Sequence, residues 1–148
     1  MIRVLSMNEQ AASMASVWPQ FKKARRPRHG GTSWIGDVKP HLGVFKIEIT
    51  YALDFDFPHV RVLSPTLRRL PDNVEGELPH VYWQDGKPIL CLFDPAQDEW
   101  DKSMLISRTT VPWSLDWLTC YEIWTMTERW VGGGRHPNQP VRPNEVTP

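Results

Sequence analysis

Only two of the 148 residues are cysteine, Cys91 and Cys120, and no CxxC pair occurs. That scarcity excludes a disulfide-framed secreted scaffold and the zinc knuckles whose paired thiolates are legible in sequence. The five histidines, His29, His41, His59, His80 and His136, are scattered, and with the cysteines they make none of the local pairings a structural zinc site needs. No metal and no cofactor is expected. Net charge is lacking as well, with 17 basic residues against 17 acidic ones. A generally basic nucleic-acid binder and a highly charged disordered chain are thereby disfavoured. No run of about 18 apolar residues exists, and "MIRVLSMNEQAASM" lacks the apolar stretch of a secretion signal. The expectation is a reduced, cytoplasmic chain with no nucleic-acid or membrane partner. A phosphate-binding glycine loop is missing too, because "VGGGRHP" ends a helical pattern instead of opening one. Self-similarity at repeat length is absent.

What is abundant is tryptophan and proline, eight and 14 residues respectively. They supply large rigid core pieces and many enforced breaks in regular structure. A chain of this length fits one domain with a real core, and the composition reads as a loop-rich α+β fold. Residues 7 to 23, "MNEQAASMASVWPQFKK", predict a short helix with Ser6 or Asn8 as cap and Pro19 interrupting near its end. The basic run Lys22, Lys23, Arg25, Arg26 and Arg28 then reads as an exposed connection, either a solvated linker or a surface that recruits a partner.

From Ser33 to Leu70 the pattern turns to strands: "SWIGDVKP", the near-alternating "GVFKIEITY" and "PHVRVLSP". Breaks of Pro, Gly and Asp between them predict an antiparallel meander. Asp85-Gly86 marks a turn between the short extended pieces "HVYW" and "PILCLF", so Cys91 falls just past an apolar extended run. Near the C-terminus "TTVPWSLDWLTCYEIWTMTERWVGGG" predicts a helix. Pro112 suits its first turn, Asp116 its positive dipole end, and Gly132 to Gly134 its stop. Trp113, Trp117, Cys120, Tyr121 and Trp124 share one face at about 100° per residue, a stripe that is core or interface. The expected division is a folded domain over residues 1–134 and a proline-rich tail over 135–148.

Chemistry is less legible. Cys120 belongs to the aromatic stripe and reads as a small hydrophobe. Periodicity alone leaves Cys91 open between buried strand residue and nucleophile, and His80 lies nearby in sequence with its direction undefined. Asp94, Asp98 and Glu99 sit in a hydrophilic loop where solvation is the default.

Taken together, the order of these segments resembles the ubiquitin-conjugating enzyme (UBC) fold. In that family an N-terminal helix precedes a four-stranded antiparallel meander, an irregular stretch, a cysteine and a helix that packs across the sheet. "SWIGDVKP", "GVFKIEITY" and "FDFPHVRVLSP" are similar to its first three strands, and "PHVYWQDGKPILCLF" to its His-Pro-Asn stretch, glycine turn and cysteine. Trp100 matches a tryptophan of the loop beyond that cysteine, and the likeness spans roughly residues 7 to 130. The wording "LPHVYWQDG…LCLFDP…EW…PWSLDWLTCYEIW…ERWVGGGRHP" resembles the bacterial branch found in short type II CBASS antiphage operons, beside a cGAS-like nucleotidyltransferase.

The resemblance implies a thioester on Cys91 with the C-terminus of that nucleotidyltransferase, followed by transfer to an amine on a target protein or small molecule. A thiol suits this, being both a good nucleophile and a good leaving group. His80, Tyr82 and Asp94, with Asp98, would support it. The family asparagine that helps hold the oxyanion is replaced by Val81, so His80, Tyr82, a backbone N–H near Cys91 or His136 would have to supply the donor. The chain also ends soon after the helix that follows the cysteine, shorter than the eukaryotic fold. A UBC-like module that only binds a partner is the alternative, and a scaffold whose aromatic stripe is merely core is the third reading.

Overall fold

A computed structural model describes residues 3–24, 31–93 and 99–131. Helix α1 runs Met7–Val17 and is opened by a reciprocal capping box, the Glu9 N–H donating to Ser6 Oγ and the Ser6 N–H to the Glu9 carboxylate. Arg3 pairs with the same carboxylate at 2.9 Å, and its hydrogen bonds together with that from the Ser6 N–H hold the acid down at about 2. The helix closes at Trp18, because a residue before proline is driven out of the helical region. Lys22 and Lys23, read from sequence as connection, instead form a two-residue edge strand, β1. Both side chains are exposed there, as lysines on a sheet edge commonly are.

The sheet continues through β2 (Thr32–Val38), β3 (Phe45–Tyr51) and β4 (His59–Ser64), antiparallel throughout in the order β1-β2-β3-β4. The three main strands are those the alternation predicts. Strand β3 alternates buried Phe45, Ile47, Ile49 and Tyr51 with the more exposed Lys46, Glu48 and Thr50. Across the ladder Trp34 faces Ile49, and Val60 meets the same residue from the other side. Position 36, opposite Ile47, takes glycine because a Cβ there would come within 2.8 Å of the Phe21 ring. The fourth strand of the meander thus lies at its start. "HVYW" and "PILCLF" pair with each other as a separate hairpin, β5 (Val81–Gln84) and β6 (Lys87–Leu90).

Helix α2 spans Thr110–Thr127. Its first turn carries no acid, and Asp116 lies well inside the helix instead of at its positive end. The helix also stops before the glycines proposed as its end. Glu128 takes the left-handed conformation, with φ 64°, its N–H donating to the Trp124 carbonyl and its own carbonyl accepting from Asn73. Hydrogen bonds thus supply what glycine usually supplies by lacking a Cβ. Residues 132–134 and the tail lie outside the described residues, as do Arg25, Arg26, Arg28, His29, Asp94 and Asp98. Of the stripe, Trp117, Tyr121 and Trp124 are buried while Trp113 and Cys120 are half-buried. Val111, Ser114, Leu118 and Glu122 are buried as well, so α2 is covered on more than one side.

The remaining parts reproduce the layout that the UBC resemblance implies: a helix, a four-stranded antiparallel sheet, a cysteine-bearing segment and a final helix. One fully enclosed polar side chain ties its two ends together. Gln10, 1% exposed, donates to the Met104 carbonyl and accepts from the Ile106 N–H at 3.0 Å. Replacing it with leucine keeps the bulk but orphans that buried N–H, at a cost of about 1–3 kcal/mol. In urea, Gln10→Leu is expected to lower the unfolding midpoint with an unchanged slope; an unchanged midpoint would contradict the clamp.

Candidate functional site

The β5–β6 hairpin turns at Asp85-Gly86, both with positive φ (52° and 73°), as a two-residue turn that matches strand twist requires. Its ladder pairs Val81 with Leu90 and Tyr82 with Ile89. One step beyond, the Cys91 N–H donates to the His80 carbonyl at 2.9 Å. The Trp117 indole N–H donates to the same carbonyl, also at 2.9 Å. His80 holds this position with φ 58°, a conformation a non-glycine residue keeps only when its surroundings enforce it. The enforcement here is two donors on one carbonyl and the His80 ring against Trp130, with centroids 4.9 Å apart.

Cys91 is 3% exposed, with Leu92 and Phe93 buried beside it. Its Sγ donates to the Phe93 carbonyl at 3.3 Å. The Phe93 ring in turn meets Phe57 edge-on at 5.1 Å and Trp113 at 5.9 Å. Phe57 also reaches Tyr82 (6.0 Å) and His59 (5.4 Å), so the cysteine segment is set in an aromatic cluster. Burial pushes the His59 imidazole down against a smaller upward pull from Asp56, which favours its neutral form near pH 7.

His80 and Cys91 are therefore brought together through the backbone. Tyr82 sits on the same hairpin, its ring in the cluster with Phe57. Asp94 and Asp98 lie outside the described residues. Val81 is half-buried opposite Leu90 and offers no hydrogen-bonding side chain. The N–H of Cys91 itself, the nearest backbone donor to the thiol, is taken by His80. Trp100 packs its ring 5.4 Å from Tyr51 and donates to Thr109, joining the segment after the cysteine to the start of α2. Among the described residues no three His, Cys, Asp or Glu side chains group as a metal site would require.

Sequence reasoning missed the two donors on His80 and the role of Trp130. Nothing local marks Trp117 as a hydrogen-bond donor to a residue 37 positions away.

A family model described as type II CBASS E2 protein matches residues 10–137. The chain belongs to the type II CBASS E2 family. No curated protein matches it. Membership makes it an E2-like, conjugating-type protein of CBASS antiviral defence, acting in the context of that operon's partners. The CBASS E2 chain has, among its described residues, no helix long and apolar enough to cross a membrane.

The burial of Cys91 makes a direct expectation. In the folded CBASS E2 chain, iodoacetamide should alkylate Cys91 at least about tenfold more slowly than in the urea-unfolded chain, since thiol modification follows exposure. Peptide mass spectrometry reads the two rates, and equal rates would contradict the described burial.

Proposed function

We propose that Cys91 is the acyl-carrying nucleophile of this E2 protein and that its first acyl donor is the C-terminus of a cGAS-like nucleotidyltransferase. The observation that carries the reading is position. The thiol stands at the exit of the hairpin, where the UBC layout has its cysteine, with its backbone pinned to α2 through His80.

In the first step the Cys91 sulfur attacks an activated acyl carbon delivered by a partner. The C–S bond forms, the thiol proton passes to solvent or a nearby base, and the activating group leaves. An amine then attacks the thioester, the C–N bond forms, and the thiol is regenerated as leaving group. His80 positions the cysteine segment by its carbonyl. Tyr82 and Asp94 are the side chains proposed to assist, through hydrogen bonding to the acyl oxygen and orientation of the amine. Because Val81 contributes no donor, oxyanion stabilisation falls to these groups or to backbone N–H groups after Cys91. The acceptor amine belongs to a target protein or a small molecule.

The second reading, a CBASS E2 module that binds its partner without acyl transfer, is favoured by the same thiol's 3% exposure. The two part cleanly in one experiment. Incubated with the co-encoded nucleotidyltransferase and its source of activated acyl groups, the wild-type chain and Cys120→Ala should each form an adduct that a thiol reductant dissolves, and Cys91→Ala should form none. A wild-type chain without adduct, or a Cys91→Ala chain that retains it, would overturn the thioester assignment.

A further inference from the structure

Beyond helix α2 the chain turns at Glu128, with φ 64°, and Trp130, 5% exposed, lies back against the site. Its ring stands 4.9 Å from that of His80 and 5.0 Å from that of Trp117. Trp117 is the residue whose indole donates to the His80 carbonyl. One ring therefore packs on both the residue held in the left-handed conformation and one of the two donors that hold it there.

Trp130 lies outside any helix or strand, so its backbone needs an anchor of its own. The anchor comes from the turn that precedes His80 in the chain. Glu75 is exposed, and its Oε1 accepts from the Trp130 N–H at 2.8 Å. Asn73 donates through Nδ2 to the Glu128 carbonyl and accepts through Oδ1 from the Glu75 N–H at 2.9 Å. Asn73 thus holds a carbonyl of the returning chain and Glu75 holds an N–H, the latter through a charged acceptor and so by the stronger kind of hydrogen bond. The turn itself is closed by the Leu70 N–H on the Glu77 carbonyl at 2.8 Å and by an Arg69–Glu77 ion pair. It leads through buried Leu78 into His80.

We propose that Glu75 is a positioning residue for Cys91: its carboxylate seats Trp130 on His80 and so keeps the His80 carbonyl on the Cys91 N–H. The relay runs from the Glu75 carboxylate to the Trp130 backbone, from the Trp130 ring to the His80 ring, and from the His80 carbonyl to Cys91. Its strained link is His80, whose left-handed backbone persists only while its surroundings enforce it. A surface carboxylate thereby sets the backbone of a buried cysteine. The effect on acyl transfer rests on Cys91 being the nucleophile; the effect on the Cys91 backbone does not.

The test combines hydrogen exchange with adduct formation, both on the full chain. Glu75→Ala removes the acceptor at an exposed position and leaves the core untouched. It should speed exchange of the Cys91 amide by roughly two- to tenfold, the loss of one hydrogen bond read as local opening, with the amides of Ile47 and Ile49 unchanged. Glu75→Gln keeps an acceptor oxygen and should restore the protection. With the co-encoded nucleotidyltransferase and activated acyl groups, Glu75→Ala should form the reductant-sensitive adduct more slowly at equal partner binding, and Glu75→Gln at close to the wild-type rate. Cys91 exchange unmoved by Glu75→Ala, equal acceleration in β3, no rescue by glutamine, or faster Cys91 exchange with an unchanged adduct rate would each overturn the proposal. A wild-type chain without adduct overturns the thioester assignment instead, and the exchange measurement then decides the role of Glu75 alone.

Discussion

The carbonyl of His80 accepts two hydrogen bonds, from the backbone of Cys91 and from the indole of Trp117. One oxygen thereby joins the hairpin and the start of the cysteine segment to helix α2. The left-handed backbone of His80 is the geometric condition for this. Such a conformation costs of the order of 1–3 kcal/mol, comparable to the net worth of two hydrogen bonds. Its gain is placement: the residue that carries the proposed chemistry has a fixed backbone although it lies outside any regular ladder.

Two buried polar side chains of α2 hold neighbouring loops through their backbone N–H groups. Glu122, 8% exposed on α2, accepts from the N–H groups of Leu42 and Gly43 and so fixes the β2–β3 connection onto the helix. Tyr121 accepts from the Arg68 N–H at 2.6 Å, tying the segment after β4 to the same helix. Burial pushes the Tyr121 hydroxyl up, against the pull of that hydrogen bond, so it remains a protonated phenol at neutral pH. Helix α2 is thus a hub whose polar atoms hold loops and whose rings fill the core. This explains why its sequence shows a stripe of tryptophans without a clean polar face.

The elements with strong local patterns were legible in the sequence. Strand β3 alternates faces residue by residue, Pro19 ends α1, and Asp85-Gly86 turns the hairpin; each is dictated within a few residues of itself. The elements that depart from the local pattern rest on distant partners. Lys22 and Lys23 carry no strand pattern and become β1 only because β2 offers an edge at Ile35 and Trp34. The end of α2 depends on Asn73 and not on the glycines beyond it. The position of Cys91 just past a short apolar extended run was legible as well. The commitment of its N–H to His80 across the hairpin and the indole of Trp117, 37 positions from His80, are contacts between segments separated in sequence, which local pattern does not show.

Cys91 is held in place by the shared His80 carbonyl, and hydrogen exchange at the Cys91 amide reads that bond directly. In the wild-type chain this N–H should be protected about as well as the amides of Ile47 and Ile49 in β3, and Trp117→Phe should speed its exchange selectively relative to them. Exchange of the wild-type Cys91 amide at the rate of an open loop, with β3 still protected, would contradict the account.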